Sequence, residues 1–462
     1  MVNPPAEKVS VALTNFTGWL ENYGEVSWDH QSFFAGPVGR RAKGLYYKNK
    51  LLGTPAVAPM IFCEAFIPAA RRLFHQPMRL PIADAHYAMG FAFLHEATGN
   101  PAALEKAVHF LEVLKATRSP GFKEFGWGYP FDWVWRGGVI KAHTPLITTT
   151  PYVFEAFLQV FRLLNGHSLA PSDGERAGVR GAVAPSTLNS QLSTSFKAIL
   201  ESIVRHACTD FKDFKFSETA STCSYTPDDE GGVVNASAYR AFLLTSAAKF
   251  LGDDSLLKIA GRNLNFVLES QNADGSWPYA KDGVRDFVDH FHTCFVMKAL
   301  AKIYLLSKLR GSRGNEAQTE KNMEPPHVGC YNSGTGTGDP RILAALTKGV
   351  DYYLKNLFGE DGMPRPFSKA PRLTVYKCEL YDCAECINLC LLLRKDFPQL
   401  DQTLQTVVAG ILENWIKPDG SFRSRKLMFG WDNVPMHRWA QSQMFRALAF
   451  YLREKRLSTI SS

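Results

Sequence analysis

The sequence predicts an all-α protein in which six helical hairpins close into a ring, an (α/α)6 toroid. Three observations carry that expectation. Twelve segments place apolar residues at helical period, and strand-like alternation is sparse. Successive helix–turn–helix units resemble one another, as repeats do. A polar turn closes the second helix of a unit, at its fullest in Gln271-Asn272-Ala273-Asp274-Gly275-Ser276-Trp277. There Gln can bond backbone groups left open at helix ends and Trp can stack over the joint. One hairpin cannot bury both faces, so several must stack or close, and broad apolar stripes on alternate helices favour closure.

Taken in order, the helical segments run Pro59–Phe74, Ile82–Thr98, Pro101–Thr117, Pro151–Leu164, Leu192–Cys208, Asn235–Leu251, Asp254–Gln271, Phe287–Leu306, Arg341–Leu357, Tyr381–Lys395, Leu400–Trp415 and His437–Arg453. Gly99-Asn100-Pro101 and Gly252-Asp253-Asp254 each read as a helix stop followed by a new start. Asp419-Gly420-Ser421-Phe422 repeats the Asp-Gly-Ser-aromatic ending, while Asp361-Gly362-Met363-Pro364 and Gly126-Trp127-Gly128-Tyr129-Pro130 look like eroded copies. Residues 165–191 and 311–339 are rich in Gly, Ser and Pro and are expected to be flexible insertions, either lids or plain surface loops.

The 462 residues are expected to form one toroid domain, because closed repeats run long as single units. Hydrophobic residues at 45% and charged residues at 21% exclude global disorder. The net charge of +8 includes no run of five Lys or Arg, which argues against a nucleic-acid stripe and leaves weak attraction to anionic polymers or a membrane surface open. Neither a basic-then-apolar leader nor an eighteen-residue apolar stretch occurs, so a cytoplasmic protein without a transmembrane segment is expected. Nine cysteines in mostly apolar helical contexts fit reduced thiols. Cys378, Cys383, Cys386 and Cys390 echo an iron–sulfur spacing, but three of them share one helical stripe and read as core.

Chemistry is expected where inner helices open into the central funnel. The densest polar cluster is Arg285-Asp286-Phe287-Val288-Asp289-His290-Phe291-His292. Asp286 and Asp289 suit a helix N-terminus; Asp289 also suits His292, three residues on, as an orienting carboxylate in an acid/base pair or as a satisfied structural pair. Asp132 and Asp382 are candidates for a second carboxylate. Trp127, Tyr129 and Trp133 offer ring platforms for a sugar, or else a packed joint. Tyr225 and Asn235 supply a phenol and an amide, Asn235 being equally suited to cap its helix. Arg438, Trp439 and Gln441 begin the last helix, where Arg438 can fork onto an acidic sugar or close an internal ion pair.

Two resemblances bear on these residues. Arg285-Asp286-Phe287 with His292-Thr293-Cys294 is similar to the helix start in protein prenyltransferase β subunits that supplies a histidine ligand to zinc, but no Asp-x-Cys partner precedes it. The Asp-x-Asp-Asp proton donor of terpenoid cyclases is not matched by Asp228-Asp229-Glu230. More widely, the segments 126–133, 148–153, 224–227, 235–236, 274–279, 291–293 and 438–441 resemble a bacterial toroid family found with cell-surface polysaccharide genes, itself similar in fold to six-hairpin glycosidases and uronyl epimerases. Its Asp-Asn-Phe-His-Thr-Gly reads Asp289-His290-Phe291-His292-Thr293-Cys294 here, and its Asp-x-His reads Asp382-Cys383-Ala384, without the histidine. The resemblance implies a carbohydrate substrate in capsular or surface-polysaccharide metabolism, with other polysaccharide-biosynthesis proteins as candidate partners. Asp289, His292, Asp132 and Asp382 are then the catalytic candidates, with no cofactor or metal. A prenyl or terpenoid enzyme and a non-catalytic glycan-binding scaffold are the alternatives.

Overall fold

The computed structural model describes residues 6–166, 187–314, 338–371 and 374–460. In chain order the helices are α1 (Ala6–Tyr23), α2 (Ser32–Ala35), α3 (Pro37–Lys48), α4 (Lys50–Phe66), α5 (Pro81–Thr98), α6 (Pro101–Ala116), α7 (Thr150–Leu164), α8 (Thr187–Thr209), α9 (Val234–Leu251), α10 (Leu256–Glu269), α11 (His290–Gly314), α12 (Pro340–Asn356), α13 (Leu380–Leu393), α14 (Leu400–Asn414) and α15 (Ser442–Ile460). An inner ring of α5, α7, α9, α11, α13 and α15 closes on itself, α15 packing back onto α5. The outer helices α6, α8, α10, α12 and α14 each pack on the inner helix that precedes them, and α1 packs on α15 to complete the sixth hairpin. The expected (α/α)6 toroid is therefore the observed fold.

Burial separates the two layers. Inner α9 buries nearly every residue of its first four turns, whereas outer α10 buries one stripe that includes Leu256, Ala260, Leu264 and Val267. That is the pattern of a helix covered all round against a helix with one wet face. The repeated turn ties the layers together. Gln271 Nε2 donates to the carbonyls of Gly275 (3.0 Å) and of Ala345 (2.9 Å) on the next outer helix, and Trp277 Nε1 donates to Val267 O (2.9 Å). Trp127 Nε1 donates to Leu114 O (2.8 Å) in the same way, so the eroded copy keeps the joint.

The structure corrects the membership of the ring. The segment 59–74, expected as a ring helix, is the end of α4 and a 3-10 turn, Pro68–Leu73, in an excursion between α1 and α5. The twelfth ring helix is instead α1, which buries Val9, Leu13, Phe16 and Leu20. The expected insertions at 165–191 and 311–339 fall mostly outside the described residues; α8 has already begun at Thr187, and Asp339 caps α12 by accepting from Arg341 N (2.9 Å).

Connections of the two ends differ. From inner to outer helix the chain turns within a few residues at Gly99–Asn100 and at Gly252–Ser255. From outer to inner helix it makes longer excursions carrying β1 (Trp133–Trp135), β2 (Gly138–Ile140), β3 (Asp213–Lys215), β4 (Ser221–Cys223), β5 (Val288–Asp289), β6 (Phe367–Lys369), β7 (Tyr376–Glu379), β8 (Arg425–Leu427) and β9 (Trp431–Asp432). Antiparallel pairing of β5 with β6 and of β7 with β8 stitches neighbouring excursions into one rim, over the N-termini of the inner helices. Asp289, His292, Arg438 and Trp439 lie at this end, the mouth of the ring.

Below the mouth, all six inner helices contribute to a buried polar network. Lys298 pairs with Glu385, Lys302 Nζ lies 2.6 Å and 2.7 Å from the Glu155 oxygens, Tyr152 and Tyr239 hydroxyls meet at 2.5 Å, and Arg446 Nη1 lies 3.3 Å from His86 Nδ1. Burial lowers Lys302 to about 8 and drives His86 well below the ordinary imidazole value, so His86 is neutral. The ring's interior is thus charged and hydrogen-bonded.

Candidate active site at the ring mouth

Asp289 ends β5 and stands immediately before α11. Its Oδ1 accepts from the backbone N–H of His292 (2.9 Å) and its Oδ2 lies 2.6 Å from His292 Nδ1. The helix-capping role and the imidazole-orienting role, alternatives in the sequence, are performed by the two oxygens of one carboxylate. Asp289 is buried, while the His292 side chain keeps 22% of its surface exposed. With Nδ1 held by Asp289 the neutral ring carries its proton there, and Nε2 is left as the basic atom. Tyr279, Phe291 and Phe295 surround the imidazole, their centroids 4.6, 4.3 and 5.5 Å away.

The wall continues from Phe291 to Trp439 (5.3 Å), which stacks on Tyr381 at 4.2 Å and lies 4.2 Å from His30. Arg438 beside it points Nε (3.0 Å) and Nη2 (2.6 Å) at Asp29 and donates Nη1 to the Tyr129 hydroxyl (3.2 Å). Burial alone would raise the Asp29 carboxyl, but the Arg438 guanidinium and His30 outweigh it and hold Asp29 well below the ordinary range. Burial also lowers His30 to about 4, so at neutral pH it is an uncharged imidazole. Tyr129 lies 5.9 Å from Trp133, which lies 6.2 Å from Tyr225, whose hydroxyl accepts from Thr148 Oγ1 (3.1 Å). Tyr129, Trp133, Tyr225, Asp289, His292, Arg438 and Trp439 therefore belong to one continuous lining.

Five other candidates lie elsewhere or face inward. Trp127 is wholly buried in its joint. Gln441 is buried and clamps Phe422, accepting from its N–H (2.9 Å) and donating to its carbonyl (2.7 Å). Asn235 sits one residue inside α9 and does not cap it; its Oδ1 is buried without a hydrogen-bond partner among the described residues. Asp132 pairs with Arg40 (2.6 Å) and accepts from Ala142 N (3.0 Å) in a side cleft. Asp382 is fully buried, with His290 Nδ1 at 3.7 Å, and burial followed by the charges of Glu379, Cys378 and Asp289 pushes its carboxyl well above the ordinary range. It stands behind the Asp289–His292 pair, with its protonated form favoured by burial. Asp29 and His30, which the sequence reading passed over, join Arg438 from 409 and 408 residues away, and no local pattern announces such a contact.

No three His, Cys, Asp or Glu side chains converge as metal ligands among the described residues. Cys378, Cys383, Cys386 and Cys390 are buried free thiols of the core. No helix among the described residues is long and apolar enough to cross a membrane.

No family model matches the chain, and no curated protein matches its sequence. Solved structures do match its fold. Cellobiose 2-epimerase from Bacillus thermoamylovorans B4167 superposes with a TM-score of 0.54 at 10% identity, over 96% of this chain and 100% of that one. A possible member of the GH105 family from Salmonella enterica serovar Paratyphi A gives 0.54 at 10% identity, over 98% and 95%. A polysaccharide lyase gives 0.52 at 9% identity, over 99% of both chains. At such identities the likeness establishes the fold, the six-hairpin toroid, and function has to come from the site.

Proposed function

We propose that this toroid is a carbohydrate-modifying enzyme of the epimerase or isomerase type, in which His292 moves a proton at a sugar carbon and Asp289 fixes its tautomer. The observation that carries the reading is the bond from Asp289 to His292 Nδ1, which leaves Nε2 as the base in a partly open, aromatic-walled mouth. The proton taken onto Nε2 turns His292 into an imidazolium, the acid that can return it, while His30, held neutral across Trp439 from Phe291, offers a hydrogen-bonding imidazole to the sugar. Tyr129, Trp133 and Trp439 are the stacking surfaces, and Tyr225 and Arg438 the polar groups, that orient the sugar. Toroid neighbours named as an epimerase, a lyase and a possible glycoside-hydrolase family member support a carbohydrate substrate. The wider resemblance in sequence supports a setting in capsular or surface-polysaccharide metabolism.

A two-carboxylate glycosidase is less well served. Such enzymes set two accessible carboxyl groups roughly 5 to 10 Å apart around one bond. Here both Asp289 oxygens are engaged, Asp382 is sealed in the core and Asp132 is paired in a side cleft. The charged network along the ring's interior likewise suits a polar substrate better than an isoprenoid.

The test is solvent exchange. Neutral and uronic mono- and oligosaccharides are incubated with the enzyme in D2O and read by NMR for carbon-bound deuterium and for the epimeric product. One sugar class should exchange, and His292→Gln and Asp289→Asn should each slow exchange by about 100-fold or more. New reducing ends without exchange would make it a glycosidase. Glycan binding that survives Asp289→Asn, with no turnover of any sugar, would make it a scaffold.

A further inference from the structure

The excursion between α1 and α5 carries a surface that the ring does not use. Between Asp29 and Glu64 the chain has no acidic residue and five cations, Arg40, Arg41, Lys43, Lys48 and Lys50. Helices α3 and α4 pack into a hairpin with a small core of its own, in which Met60 and Ala42 meet Phe33. At the crossing, a Cβ on Gly53 would lie 2.0 Å from Tyr46 Cα, so the two backbones are in contact. With that face of α4 occupied, the opposite face is bare. Leu51, Pro55, Ala58, Phe62 and Phe66 succeed one another at steps of three and four residues and are all exposed, Leu51 at 84%. Seventeen residues of helix make this stripe about 25 Å long. Phe429 of the β8–β9 turn, 77% exposed, extends it by stacking near Phe66 at 6.5 Å.

An exposed apolar stripe of this length marks an interaction surface. We propose that the α3–α4 hairpin docks on the surface of an anionic lipid bilayer, with the phenyl and leucyl groups entering the headgroup boundary and the exposed Lys48 and Lys50 meeting the lipid phosphates. Charge decides between this occupant and a second copy of the chain. A two-fold contact through this hairpin would set one basic hairpin, whose single acid Glu64 is already paired with Arg425, against another, while an anionic bilayer complements both its apolar and its cationic character. The hairpin is anchored to the rim by Glu64 to Arg425 (2.6 Å) and by Arg40 to Asp132 (2.6 Å), and the 3-10 turn after it by Arg71 to Asp432 (2.6 Å), so docking would bring the ring mouth close to the membrane.

Sedimentation with vesicles tests this without any knowledge of the sugar substrate. The purified chain is mixed with phosphatidylcholine vesicles, with or without one-quarter phosphatidylglycerol, at 50 mM and 500 mM salt. Binding should require the anionic lipid and fall at high salt. Phe62→Ser/Phe66→Ser and Lys48→Glu/Lys50→Glu should each weaken partitioning by about tenfold or more. Both pairs are exposed, and an unchanged thermal midpoint would show that the variants fold. No sedimentation with the anionic vesicles, or partitioning unaffected by the Phe pair, would overturn the proposal. So would light scattering that finds a dimer which the Phe pair dissociates, which would assign the stripe to a second copy.

Discussion

Removal of Arg438 tests how the mouth is held together. Arg438 and Asp29 approach through two N–H···O contacts, 3.0 Å and 2.6 Å, with side chains 5% and 0% exposed. In Arg438→Met the Asp29 carboxylate keeps only a local backbone bond from Gln31 and its neighbour His30. A buried charge stripped of its partner costs about 3 to 5 kcal/mol. For 462 residues the entropy of unfolding is on the order of 1 kcal/mol/K, so the midpoint should drop by about 4 °C. Asp29→Asn/Arg438→Met removes both charges and should recover all but about 1 °C. Thermal unfolding of the wild type, both single variants and the double variant at pH 7.5 gives the cycle. A single Arg438→Met variant within 1 °C of wild type, or a double variant as low as the sum of the singles, would refute the reasoning. Because the pair is buried, the coupling should persist in 0.5 M salt, unlike a surface pair.

Acid should destabilise the fold well above the carboxylate range. Burial lowers His290 to about 3 and His30 and His437 to about 4, below their unfolded values, so the unfolded chain binds protons that the folded chain does not, and stability falls as pH drops below about 6.5. Between pH 6.5 and 5 each imidazole removes about 1.6 kcal/mol, and a urea midpoint unchanged over that interval would contradict the neutral assignments. Gly275→Ala should destabilise by about 3 kcal/mol, because φ is +93° and a Cβ would sit 2.3 Å from Lys348 O; Gly252→Ala, with φ +70° and open space, should lose only about 1 kcal/mol in the same denaturation series.

Much of the ring was legible because its signals are local. Helical period, Asn100 at a helix start and the Gln271–Trp277 turn all act within a few residues, whereas Asp339, which caps α12, reads in the sequence as the end of an insertion. Asp289 and His292 were legible for the same reason, being three positions apart on one helix start. Ring closure is a long-range event, and there the sequence misled. Residues 59–74 have the apolar period of a ring helix, yet in the structure much of that apolar surface faces outward, and α1 takes the place they were expected to fill. Trp127 and Gln441 have side chains that suit sugar binding, and only burial shows that they serve the joints. Asp29 and His30 form their contacts across the whole length of the chain and leave no pattern nearby.

Closure of the ring by α15 has a consequence during synthesis. Helix α5 is covered on one flank by α15, and α1 packs on α15 as well, so neither is fully housed until residues 442–460 have left the ribosome. At roughly 5 to 20 residues per second, the 344 positions from Thr98 to Ser442 take about 17 to 70 s. Throughout that interval the nascent chain displays the flank of α5 that will meet α15, and the ring stays open until its last helix arrives.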